Sequence, residues 1–156
     1  MRLGILAVGH KLPDWAASGC AEYIKRMPRE LPLSVVEIKP EPRGSKTREQ
    51  LLAAEKVRLQ GALQGYHRIV VLDERGTDLT TLKLAQRLES WMREGGDTAF
   101  IIGSADGIDD ELKSRADDTI RLSSLTLPHA MARLVLCEQL YRAFSVVRNH
   151  PYHREG

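Results

Sequence analysis

Histidine, arginine and tyrosine gather in two places toward the C-terminus of this chain. His129 and Arg133 stand four apart, so on a helix they share one face. Leu136, Leu140 and Phe144 continue that stripe, which puts two polar residues at the head of an apolar line. Imidazole exchanges its proton near neutral pH, and guanidinium grips phosphate or carboxylate with a planar fork. One reading is a satisfied histidine beside a salt-bridged arginine. The other is a first helical turn facing a ligand, its free N–H groups aimed at polar or anionic atoms. The second gathering is the tail Arg148–Gly156, RNHPYHREG, with His150, Tyr152, His153 and Arg154 around a proline break. Such groups bind phosphate, stack on bases or move protons. Glu138 and Arg142 form an i,i+4 pair of structural type. His150 and His153 have no cysteine or carboxylate set at ligand spacing, so no metal centre is expected.

Two loops precede these groups. In FIIGSADGIDDEL, an apolar run is stopped by Gly103, and Gly103 and Gly107 bracket a tight turn where backbone without Cβ can approach a ligand closely. In RLSSLTLPHA, Ser123–Leu127 is a loop rich in hydroxyls and backbone donors, and Pro128 occupies a helix-start position. Loops at the carboxyl ends of neighbouring strands are where open α/β sheets bind ligands.

The elements that position these loops alternate. Strands are expected at Leu3–Val8, Leu33–Ile38, Arg68–Asp73, Thr98–Ile102 and Thr119–Leu122. Helices are expected at Pro13–Met27, with Trp15 and Cys20 among its core contacts, at Thr47–Leu63, Thr80–Arg93, Asp109–Ala116 and Pro128–Val147. Asp73–Gly76 reads as a turn, and KPEPRGSK (39–46) as a loop that proline and glycine bar from helix or central strand. Strand–helix alternation without polar interruption in the strands predicts one α/β domain. Its sheet would be mostly parallel, with helices on both faces. The last helix is apolar around most of its circumference, which suggests burial by its own sheet and by a second copy in a homodimer.

Composition narrows the function classes. No apolar run reaches the roughly 18–20 residues of a membrane span. Cys20 and Cys137 are isolated, which suits packing in a reducing cytoplasm. The net charge of +2 hides an uneven distribution: residues 1–72 carry +5, residues 73–118 carry −6 and residues 119–156 carry +3. Nucleic acid would therefore be bound through local patches, such as the 39–46 loop with Arg48, Lys56 and Arg58. The first strand runs into Gly9-His10-Lys11 rather than Gly-x-Gly-x-x-Gly, and there is no P-loop, so dinucleotide and nucleoside-triphosphate enzymes are disfavoured.

Three segments carry a family resemblance: KLPDW (11–15), IIGSADG (101–107) and LSSLTLPHAMARLVLCEQLYRAFSVVRNHPYHRE (122–155). The chain resembles, end to end, the bacterial SPOUT-class methyltransferases of large-subunit ribosomal RNA. That resemblance implies a C-terminal deep trefoil knot and the cofactor S-adenosylmethionine, held by Leu72, Gly103 and the loop Leu122, Ser123, Ser124, Leu125, Thr126 and Leu127. It also implies a cytoplasmic homodimer with a shared active site, acting on 23S rRNA in the assembled ribosome to methylate N3 of a pseudouridine. His129 and His153 are then the candidate bases. Arg133, Arg142, Arg148 and Arg154 are candidate phosphate or uracil ligands, and Tyr152 a candidate stacking platform. Ser104 departs from the family pattern, which expects a second glycine there. The alternative is a ribosome-associated factor that keeps the fold without chemistry.

Overall fold

The computed structural model describes residues 1–154. Five parallel strands form one sheet: β1 (Leu3–Val8), β2 (Leu33–Ile38), β3 (Arg68–Asp78), β4 (Thr98–Ile102) and β5 (Asp118–Arg121), in the order β2-β1-β4-β3-β5. Helices α1 (Asp14–Arg26), α2 (Arg48–Ala62), α3 (Thr81–Glu94), α4 (Asp110–Ser114) and α5 (His129–Val147) connect and follow them, and a short 3₁₀ turn at Pro151–Arg154 ends the described chain.

The two faces of the sheet are sorted by strand alternation. Leu3, Ile5, Ala7, Val70, Phe100 and Ile102 pack with Cys20 of α1, Leu84, Leu88 and Trp91 of α3, and Leu136 and Leu140 of α5. Leu6, Val8, Val71, Ala99 and Ile101 face the other way, toward Leu59 of α2 and Leu112 of α4. Helices therefore cover both faces, as the unbroken apolar strands require.

Local chemistry starts the helices. Thr47 and Gln50 form a reciprocal capping box at α2, and the hydroxyl of Thr80 accepts from the Lys83 N–H at α3. The Asp109 carboxylate accepts from the Glu111 and Leu112 N–H groups at α4. Pro128 stands one residue before α5, at its N-cap.

Two expectations need correction. The strand β3 does not stop at Asp73. It continues through Glu74, Arg75 and Gly76 to Asp78, with a register shift that pairs both Leu72 and Thr77 with Ile120. Gly76 makes this possible, because a Cβ there would lie 2.6 Å from the Ile120 backbone. Trp15 is 57% exposed rather than core. The face of α1 that meets the interior is Ala16 and Cys20, and Gly19 lets Leu134 of α5 approach so closely that a Cβ would sit 2.6 Å from it. In a single chain α5 packs against α1, α3 and the sheet, while Met131, Leu134, Val135, Val146 and Val147 remain only half-buried.

Candidate cofactor and substrate site

The register of the sheet brings the predicted cofactor segments together. Leu72 pairs with Ile102 on one side and with Ile120 on the other, so Leu72, Gly103 and the chain leaving β5 emerge side by side at the carboxyl edge. Gly103 has no room for a side chain: a Cβ would meet the Gly107 carbonyl oxygen and Ile108 Cγ1, each at 2.6 Å. The turn folded against it is closed by the Gly107 N–H donating to the Ser104 carbonyl at 2.9 Å, with Gly107 at φ +95°. In the 122–127 loop, Leu122 packs on the core, Ser123 Oγ accepts from the Leu125 N–H at 2.9 Å, and Ser124, Leu125 and Thr126 are exposed. A glycine cradle beside a loop of open backbone and apolar Leu72 and Leu122 fits a flat, partly apolar ligand such as the adenosyl group of S-adenosylmethionine.

His129 and Arg133 stand next to this edge. Arg133 is wholly buried, and each nitrogen of its guanidinium is engaged. Nε donates to His129 Nε2 at 2.8 Å, NH1 pairs with the Glu37 carboxylate at 2.8 Å, and NH2 donates to the His10 carbonyl at 3.1 Å. It thereby ties α5 to the ends of β1 and β2. Gly9 is the close approach that admits it, since a Cβ there would fall 2.8 Å from His129 Nε2 and 3.0 Å from Arg133 NH2. Burial, then the adjacent Arg133 charge, hold His129 below the ordinary imidazole value of 6.5, while a backbone hydrogen bond at Gly103 and the Glu37 charge oppose the shift. His129 is thus a neutral imidazole whose Nε2 lone pair is already in use.

A cavity of about 400 Å³ opens beside the pair, walled by Gly9, His10, Leu12, Pro40, Ser104 and His129 among others. It lies beyond the carboxyl ends of β1 and β4, from which the chain departs in opposite directions across the sheet.

The basic surface expected from the 39–46 loop and α2 is largely consumed by internal pairing. Arg43 bonds Asp106, Arg48 Nε donates to the Asp106 carbonyl at 3.1 Å, Lys56 pairs with Glu111 and Asp109 at 3.1 and 3.7 Å, and Arg58 bonds Glu41. Arg43, Arg48 and Lys56 tie the loop and α2 to the 104–111 segment and Arg58 ties α2 to the loop, while Arg43 and Arg48 keep exposed side chains. Glu41 is held below the usual carboxylate range chiefly by its bond from Arg58.

The tail docks along the C-terminal half of α5. The Tyr152 hydroxyl bonds Glu138 at 2.8 Å and Tyr23 at 3.1 Å, its ring meets Tyr141 edge-on at 4.8 Å, and Arg142 lies over it at 4.9 Å. Arg142 also holds Glu138 at 2.8 Å. Burial, then these hydroxyl contacts, push the Tyr152 phenol upward. His153 Nδ1 is buried and has no hydrogen-bond partner among the described residues. Arg148 and Arg154 are exposed. The structure therefore joins Leu72, Gly103, Leu122–Leu127, His129 and Arg133 at one end of α5, and Arg142, Tyr152, His153 and Arg154 at the other.

Sequence reasoning missed Glu37, Glu55 and Asp106. Glu55 carried a signal: it stands four residues from both Leu51 and Leu59, on the face of α2 that is buried.

Over residues 1–153 the chain matches the family described as Predicted SPOUT methyltransferase, and it belongs to that family. Its similarity to individual relatives is close. Ribosomal RNA large subunit methyltransferase H of Dechloromonas aromatica (strain RCB) is 70% identical over 156 residues, spanning 100% of each chain. The protein of the same name from Paraburkholderia xenovorans (strain LB400) is 59% identical over 155 residues, 99% of each. Among solved structures, a probable methylase family protein from Haemophilus influenzae Rd KW20 gives a TM-score of 0.57 at 17% identity, covering 97% of this chain and 69% of that one. TrmJ from Z. mobilis ZM4 gives 0.52 at 15% identity, covering 90% and 69%. At such identities these two speak for the fold alone.

Proposed function

We propose that the protein is an S-adenosylmethionine-dependent methyltransferase of large-subunit ribosomal RNA, acting as a homodimer on N3 of a pseudouridine in the assembled ribosome. The name borne by its full-length relatives and the geometry of the carboxyl edge support this reading. One observation carries the dimer. The tail folds back along α5 only as far as Glu138, which Tyr152 bonds, nine residues from His129, about 14 Å at the rise of an α-helix. One chain, with its tail bonded to Tyr23, Glu138 and Asn149, does not bring its own Gly103 turn and its own His153 and Arg154 to a single reacting centre. Two chains arranged head to tail can, so the tail of one protomer completes the cofactor end of the other. A knotted path for residues after β5 belongs to the same proposal.

When bound, S-adenosylmethionine supplies a sulfonium-activated methyl group. The backbone of Leu72, Gly103 and Leu122–Leu127 holds the adenosyl portion. The pseudouridine N3 carries a proton that must leave. His153 suits that step better than His129, because its Nδ1 has no partner among the described residues while the His129 acceptor nitrogen is taken. The exposed Arg148 and Arg154 are placed for phosphate or for a uracil oxygen as negative charge develops. Tyr152 and Arg142 hold the tail in position, and Arg133 and His129 hold the site end of α5.

The test is mass mapping of large-subunit RNA after incubating the protein and S-adenosylmethionine with ribosomes from cells that lack this enzyme. A single new methyl on one pseudouridine is expected, and deproteinised RNA should be a much poorer substrate. Cofactor binding without any methyl would overturn the substrate, and equal rates on naked RNA would overturn the ribosome requirement. H153A and R154A should lower methyl incorporation far more than cofactor affinity.

A further inference from the structure

We infer that Glu55 and Ser104 form a latch that presets the Gly103 turn for its cofactor, so that both act as positioning residues. The inference rests on the reading that S-adenosylmethionine binds at Gly103.

Glu55 is 2% exposed on a face of α2 otherwise made of Leu51, Leu52 and Leu59. A carboxylate there costs far more desolvation than a leucine would, and it is tolerated only where donors satisfy it. Both of its oxygens are satisfied, by groups distant in sequence. Oε1 accepts from Ser104 Oγ at 2.8 Å, and Oε2 accepts from the Glu41 N–H at 3.0 Å. The cations nearest in the loop, Lys46 and Arg58, pair with Glu41 instead. Glu55 thus joins the 39–46 loop to the 104–107 turn through hydrogen bonds.

That turn is held on its outer side at further points. Arg43 bonds the Asp106 carboxylate and Arg48 bonds the Asp106 carbonyl. On its inner side Gly103 packs against Gly107 and Ile108 with no space to spare. The backbone of Gly103 is therefore oriented by its neighbour, and the Ser104 hydroxyl is the group that fixes that neighbour. The departure from glycine at this position gains a physical reason: the side chain turns toward Glu55 and supplies a donor that glycine lacks.

The experiment compares wild type, S104A, S104T and E55Q. Isothermal titration with S-adenosylmethionine should show a Kd about tenfold weaker in S104A, because a buried carboxylate oxygen loses its donor. The kcat at saturating cofactor should fall much less. S104T, which keeps the hydroxyl, should restore the affinity. E55Q should bind nearly as well as wild type, because its amide oxygen can accept from the Glu41 N–H while its NH2 donates to Ser104 Oγ. Without cofactor, amide hydrogen exchange at 103–107 should quicken about fivefold or more in S104A and remain slow in S104T. Wild-type affinity and wild-type exchange in S104A would overturn the latch while leaving the cofactor reading intact. So would S104T failing alongside S104A, with Kd, kcat and melting temperature all worsening together. A wild-type protein that binds no S-adenosylmethionine would instead overturn the cofactor reading, and the positioning role with it.

Discussion

Arg133 Nε donates to His129 Nε2 at 2.8 Å, across one turn of α5, while the same guanidinium reaches Glu37 of β2 and the His10 carbonyl after β1. The contact fixes the state of both partners. A permanently charged donor on Nε2 requires a lone pair there, so the imidazole is neutral. Three elements converge on one buried arginine, and the end of the sheet that carries the cavity is held by it.

Stability should consequently depend on pH in a defined window. The folded-state pKa of His129 is depressed below 6.5, mainly by burial and then by Arg133. Above that value both folded and unfolded imidazoles are neutral, and the contribution is fully present. As pH falls below it the unfolded chain takes up a proton that the folded chain refuses, so stability declines until the folded pKa is reached. Melting temperature followed from pH 7.5 to about 5 should drop, and H129Q should flatten the drop. The lowered carboxylates Glu22, Glu41 and Asp97 act only at more acidic pH, since their ordinary values are 4.5, 4.5 and 3.8. An unchanged slope in H129Q would count against the neutral imidazole.

Removing the guanidinium should cost more than removing the histidine. R133A opens a void at a fully buried position and strips the His10 carbonyl and His129 of their donor. Urea denaturation should show a loss of about 2–4 kcal/mol. R133M, which fills most of the volume without leaving a charge, should lose about half as much. A loss under about 0.5 kcal/mol for R133A would mean that the three-way contact is dispensable.

Gly76 should tolerate no side chain. A Cβ would come within 2.6 to 2.8 Å of the C, Cα and N atoms of Ile120, and backbone cannot swing aside as a long side chain can. G76A is expected to cost about 2–4 kcal/mol and to weaken the β3–β5 pairing, seen as faster amide exchange at Ile120 and Arg121. Wild-type exchange in that variant would show that the β3–β5 pairing does not depend on the absence of a side chain at Gly76.

The tail should be released by loss of its aromatic anchor. Y152F keeps the ring on Tyr141 and Arg142 but loses the bonds to Glu138 and Tyr23, and should cost about 1 kcal/mol. Y152A removes both sets of contacts, so trypsin should cut after Arg148 about tenfold faster than in wild type. Equal cleavage rates would place the strength of docking elsewhere.

The alternation of strands and helices was legible because it depends on local pattern. The unbroken runs LGILAV and TAFII can only be covered on both faces, and Thr47, Thr80 and Asp109 announce their helices through capping chemistry. Asp73–Gly76 misled for the same local reason. Its composition is that of a turn, yet Leu72 before it and Thr77 after it both pair with Ile120 of β5, so the segment is carried within the strand as an unpaired bulge.

By itself the sequence determined a parallel α/β domain, the glycine turn, the polar loop before the last helix and the chemically dense tail. The family resemblance carried by those segments held over the full chain. Tertiary structure alone decided how charges pair and how far apart the two functional groupings lie. Arg43, Arg48, Lys56 and Arg58 read as a basic patch until folding sets Asp106, Glu111 and Glu41 against them. The partner of a charge is a long-range property. Spacing along the chain fixes which residues share a face, but only the packed fold fixes what that face meets.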